Sequence, residues 1–124
     1  MAKEANLELP AYTEDGLREK VFKDHYANLD EYLRGFGLTT KVMQTVDNIR
    51  RVAYELAWDN YNEGVRYLEV RFAPQLHMSA ELSFETVMDA ADTGLKQARE
   101  EINAARDVSE PPFEYGIIVC AMRF

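Results

Sequence analysis

Two strand-like runs separated by one long helical pattern set the strictest limit on what this chain can fold into. Val65–Phe72 (VRYLEVRF) is rich in β-branched and aromatic residues and is stopped by Pro74. Tyr115–Arg123 (YGIIVCAMR) is nearly all apolar, as strands buried on both faces are. Between them Ser83 can cap a helix over about 84–106, on which Val87, Ala91, Leu95, Ala98, Ile102 and Ala105 share one stripe. Strand, long helix and strand imply two parallel neighbours, about 65–72 and about 115–123, joined by a right-handed crossover.

Upstream, apolar residues Val42, Ile49, Val52, Ala53, Leu56 and Ala57 recur at helical spacing and predict a helix over about 40–62. Thr39 or Thr40 is placed to cap it, and Gly64 sits where a left-handed stop belongs. Asn28 and Glu31 have capping-box spacing ahead of Leu29, Tyr32, Leu33 and Phe36, in a helix that Gly35 and Gly37 should keep short. Thr13, followed by Glu14 and Asp15, predicts one more short helix through Val21 and Phe22.

A two-stranded parallel sheet leaves both edges open and its faces under-covered, whereas parallel sheets are found well buried. Residues 1–124 therefore read as a single segment of a larger parallel α/β structure, truncated at both ends. Alternation along the first strand puts Tyr67, Glu69 and Arg71 on one face and Leu68, Val70 and Phe72 on the other. A Glu and an Arg on an inner face are costly unless paired. Either that face points into a closed (β/α) barrel beneath an active site, or it meets water; the pattern alone leaves both open.

Charge narrows the partners. With 22 Asp and Glu against 14 Lys and Arg, the chain carries a formal charge of −8 and shows no basic stripe, which argues against nucleic acid and anionic membranes. The single Cys120 excludes an internal disulfide, and the first residues lack the apolar core of a signal peptide, so a cytoplasmic location is expected.

Within these residues no catalytic set and no metal set emerges. His25 and His77 stand far apart without a ligand-type spacing, and each reads as a surface histidine. Cys120 lies inside an apolar strand, where a thiol is usually inert packing. The Pro-Cys-x-x-Cys signature of cytidine-type deaminases is absent, and the pair Gly35 and Gly37 is too short for a phosphate loop. The loop from Arg71 to His77 follows a strand, and in parallel α/β folds such loops line the functional face.

Five runs together resemble the adenosine deaminase family. Tyr67–His77 (YLEVRFAPQLH) resembles its second-strand signature, and Leu29–Phe36 (LDEYLRGF) the short helix that gates its substrate pocket. Val42–Thr45 (VMQT) and Arg51–Ala57 (RVAYELA) resemble the long helix before the second strand, and Val119–Arg123 (VCAMR) the third strand. The resemblance runs in order from about Leu9 to the end. It implies part of a (β/α)8 TIM barrel in a hydrolase that deaminates adenosine or a related aminopurine. In that family a bound zinc activates the attacking water, while a glutamate, a histidine and an aspartate manage protons and charge.

What carries over to this chain is peripheral. Leu29, Tyr32, Leu33 and Phe36 match the apolar gate, and Leu76 and Met122 match strand-end positions near the pocket. Glu69 and Arg71 match a charged barrel-interior pair of structural role, and Ala73 stands where some members have serine. The family's zinc ligands and catalytic residues have no counterpart here. The resemblance thus implies zinc and a purine nucleoside for the full-length protein, and neither cofactor nor turnover for this chain alone. A competing reading is a non-catalytic α/β module that self-associates, or complements another chain, through open strand edges or the gate helix.

Overall fold

The helix–strand–helix–strand order read from the sequence is present, and the two strands pair in parallel. The computed structural model describes residues 1–4 and 7–123. Helices α1 (Glu14–Lys20), α2 (Leu29–Lys41) and α3 (Val46–Asn62) precede strand β1 (Tyr67–Phe72); a 3-10 turn (Pro74–Leu76), helix α4 (Phe84–Ala105) and strand β2 (Glu114–Val119) follow. The chain divides into two compact units, Met1–Met43 and Gln44 onward.

In the first unit the capping residues behave as their spacing predicts. The Thr13 hydroxyl accepts from the Gly16 N–H at 3.1 Å to start α1. Asn28 Oδ1 accepts from the Glu31 N–H at 2.9 Å, while Glu31 reaches back to the Ala27 N–H at 2.7 Å. The first bond satisfies one donor that a helix start otherwise leaves open, and the second ties the residue before the cap to the first turn.

Helix α2 departs from expectation. It is 13 residues long and runs through both Gly35 and Gly37. Glycine inside a helix costs about 1 kcal/mol against alanine, a penalty but not a stop. Gly35 is buried against Val21 and Phe22, so packing offsets part of that cost.

Thr39 and Thr40 do not cap the next helix. They lie in the last turn of α2, and both hydroxyls donate back to the Phe36 carbonyl, at 2.9 and 2.7 Å. A threonine inside a helix can use its hydroxyl in this way instead of capping.

The second unit is organised by a seam between α3 and α4. Helix α3 starts at Val46, later than the predicted 40, because Thr45 is the residue whose hydroxyl accepts from the Asn48 N–H, at 3.2 Å. It ends where predicted, with Gly64 at φ 100° turning the chain into β1. Ser83 caps α4 through the Thr86 N–H at 3.2 Å. Of the α4 stripe, Val87, Ala91, Leu95, Ala98 and Ile102 are buried, and Ala105, in its last turn, is exposed. Ala53, Ala57, Leu95, Ala98, Ile102 and Phe113 form the core, with Leu68, Val70, Tyr115 and Ile117 of the sheet packed against it.

The register pairs Leu68 with Tyr115 and Val70 with Ile117, so the residues of one sheet face meet the helices together. Tyr67, Glu69 and Arg71 occupy the other face and are exposed. Strand β2 is shorter than the predicted 115–123. The Cys120 N–H donates to the Phe72 carbonyl at 3.0 Å, and β1 offers no residue beyond that point to pair with. Nor is β2 buried on both faces: Ile118 and Val119 are 42% and 46% exposed.

Candidate functional site

In parallel α/β folds the carboxyl ends of the strands carry function, and here both ends belong to the second unit. After Phe72 the chain buries Ala73 and Pro74 and makes the 3-10 turn Pro74–Leu76, closed by the His77 N–H on the Pro74 carbonyl at 2.9 Å. His77 is not the surface histidine predicted. It is 7% exposed, its ring 6.0 Å from that of Phe72, because the proline turn carries the chain back beneath the strand end. Leu76, one residue earlier, stays 38% exposed.

Two glutamines tie this turn down. Gln44 Nε2 donates to the Leu76 carbonyl at 3.0 Å, and Gln75 Oε1 accepts from the Met122 N–H at 2.6 Å. Leu76 and Met122, read separately from the sequence, thus belong to one hydrogen-bonded assembly at the ends of β1 and β2. Sequence reasoning passed over both glutamines. The only available signal was position: a carboxamide directly after a strand-ending proline can reach the neighbouring strand.

Glu69 and Arg71 lie on the helix-free face of β1, the face a closed barrel turns inward. Among the described residues no ion pair joins them. Glu69 instead accepts from the Tyr67 hydroxyl at 3.0 Å, and that hydrogen bond raises the phenol's pKa above its ordinary value. Gly116 lies opposite Glu69 in the register, and a Cβ there would stand 3.3 Å from the Tyr67 hydroxyl oxygen.

In the first unit, Leu29, Tyr32, Leu33 and Phe36 are 67%, 45%, 47% and 51% exposed along α2. Tyr32 stands edge-on to Phe36 and to Tyr26, with centroids 5.3 and 5.2 Å apart, which holds the aromatic part of the row in place. His25 is exposed. No group of three or more His, Cys, Asp or Glu able to hold a metal occurs among the described residues. No helix among them is long and apolar enough to cross a membrane.

One ionisable group in the second unit is strongly displaced. Burial, reinforced by donation of its hydroxyl to Asp92 Oδ1 at 2.5 Å, pushes Tyr115 up to about 12. An unfolded tyrosine ionises near 10, so between pH ~10 and ~12 the unfolded chain sheds a proton that the folded chain keeps. Stability contributed by Tyr115 is therefore complete below about pH 10 and lost as pH rises through about 12. Ultraviolet titration of the phenolates should show a late-ionising tyrosine that Tyr115→Phe removes. An unchanged titration curve in the variant would contradict this.

A family model for adenosine deaminase matches residues 1–124. The adenosine deaminase of Vibrio atlanticus is 43% identical over 101 residues, covering 82% of this chain and 30% of that protein. That of Clostridium botulinum strain 657 is 42% identical over 101 residues, 81% of this chain and 30% of its own length. In structure, adenine deaminase from Arthrobacter aurescens superposes with a TM-score of 0.70 at 22% identity, over 97% of this chain and 32% of that one. The fold is that of a partial (β/α)8 barrel, and the chain spans about 30% of the length of the curated relatives it matches. This chain belongs to the adenosine deaminase family.

Proposed function

We propose that these residues are an N-terminal portion of a zinc-dependent hydrolase that converts adenosine or a related aminopurine to its 6-oxo product and ammonia, and that the chain alone turns nothing over. The observation that carries this reading is the family match along the whole chain. Leu29, Tyr32, Leu33 and Phe36 would close an apolar gate over the purine and keep water from it, and Leu76 and Met122 would stand at the pocket edge. Glu69 and Arg71 would serve the barrel interior structurally. The described residues do not fit a zinc ion, since no ligand group converges among them, so its ligands would come from other parts of the protein.

Two assays test this. The purified chain, loaded with zinc and desalted, should retain no stoichiometric metal and release no ammonia from adenosine. Turnover from a sample whose intact mass shows this chain alone would overturn the claim of inactivity. Replacing the matching segment of the Vibrio atlanticus enzyme with this one should give a chimera that still deaminates an aminopurine. A chimera that folds and holds zinc yet releases no ammonia would overturn the assignment.

A self-associating, non-catalytic module is the second reading, favoured by the exposure of Ile118, Val119 and the α2 apolar row. A discrete oligomer in light scattering, together with an inactive chimera, would select it.

A further inference from the structure

We infer that Gln75 is a positioning residue that sets the separation of Leu76 and Met122 across the ends of the two strands. This rests on the reading of those two residues as pocket edge. Three observations carry it. The first is the length of the hydrogen bond, 2.6 Å from the Met122 N–H to Gln75 Oε1, between residues 47 apart in sequence. A backbone N–H can only donate, so the atom facing it is the carboxamide oxygen, and the orientation of the Gln75 side chain is fixed by chemistry.

The second is where the bond falls. The regular ladder between the strands ends with the Cys120 N–H on the Phe72 carbonyl at 3.0 Å. Beyond it, β1 turns away into Pro74–Leu76, and backbone pairing can no longer hold residues 121–123. Gln75 supplies an acceptor in place of the carbonyl that the departing strand withdraws. The ladder is in effect extended by one side-chain rung, and that rung carries Met122.

The third is that the near side of the rung is itself anchored. Gln75 sits in a turn closed by the His77 N–H on Pro74, the His77 side chain is buried, and Gln44 Nε2 holds the Leu76 carbonyl at 3.0 Å. A side chain gripping a neighbouring strand positions that strand only if its own backbone is fixed. Here it is fixed from both sides, by the start of α3 through Gln44 and by the proline turn. Leu76 and Met122 are therefore held relative to each other by polar contacts, while their apolar side chains remain exposed for a ligand.

Gln75 is exposed, so replacing it should leave the fold intact and isolate the effect. Amide hydrogen exchange in this chain should show Met122 exchanging about tenfold faster or more in Gln75→Leu, with Cys120 unaffected. Gln75→Glu, which keeps an acceptor oxygen at the same reach, should restore protection. Unchanged exchange of Met122 in Gln75→Leu would overturn the clamp.

In the Vibrio atlanticus chimera, Gln75→Leu should raise KM for the nucleoside several-fold and change kcat less, a split that loss of folded protein would not produce. Faster exchange with KM unaltered would overturn the pocket-positioning role. If the unmutated chimera is already inactive, the deaminase reading fails, while the exchange measurement still decides the clamp.

Discussion

Gly94→Ala should destabilise this chain by about 2 kcal/mol or more, although alanine is the better helix former. A Cβ at Gly94 would overlap the Arg50 carbonyl oxygen and stand 3.0 Å from its carbon and 3.1 Å from the Ala53 Cβ. Two of those three atoms are backbone, so no side chain can swing away and the helices themselves must part. Ala53, Ala57 and Ala98 line the same seam, and separating α3 from α4 opens all of it. Against this stands a propensity gain of about 1 kcal/mol on replacing glycine, which the clash outweighs.

Gly37 in α2 provides the control. A Cβ there meets nothing within 4 Å, so Gly37→Ala should raise stability by up to about 1 kcal/mol. Urea unfolding followed by circular dichroism reads both, and the opposite signs are the test. A Gly94→Ala chain as stable as the parent would mean the seam is looser than described.

Phe113→Ala should cost more, about 3–5 kcal/mol, as large aromatic truncations in full burial do. Phe113 is 0% exposed and stands edge-on to Tyr61 at 6.2 Å. Its backbone is held as firmly as its ring. Asn103 Nδ2 donates to the Phe113 carbonyl at 3.0 Å, and Asn103 Oδ1 accepts from the Phe113 N–H at 2.8 Å. The asparagine thus pairs with the residue just before β2 as a second strand would, and so feeds the chain into register from α4.

A domain of this size has about 5–15 kcal/mol of stability in all, so Phe113→Ala should remove a large share of it and lower the urea midpoint accordingly. Asn103→Ala, which leaves a partly buried N–H and C=O without that partner, should cost about 1–3 kcal/mol. A loss below about 1 kcal/mol for Phe113→Ala would show that the core repacks around the gap.

How far the site was legible in the residues differs from one element to another. The run Tyr67–His77 pointed to a strand followed by a functional loop, and β1 with its proline turn lies there. The alternation of Tyr67, Glu69 and Arg71 against Leu68, Val70 and Phe72 placed the charged face correctly, because a strand's period of two admits no other division. His77 was misplaced: a histidine after a proline looks like loop surface, and only the path of the turn decides that it points inward. The glutamines went unnoticed because a carboxamide carries no periodic or motif signal. Its role depends wholly on which backbone group lies within reach.

The kinds of elements, their order and the direction of the sheet follow from chemistry local to the chain. Thr13, Asn28 and Ser83 cap helices through donors three residues away, and Gly64 ends one at a positive φ. These are interactions within one turn of chain, and local composition is enough to specify them. The long helix between two apolar runs is the connection that parallel pairing needs, since no short connection can return a strand in that sense. Tertiary structure alone decided that α2 continues through two glycines, that Thr45 rather than Thr39 or Thr40 opens α3, that Gly94 lies against the Arg50 carbonyl, and that Gln75 grips the amide of Met122. In each case several local conformations cost nearly the same, within about 1 kcal/mol, and the choice falls to contacts that exist only once the chain has packed.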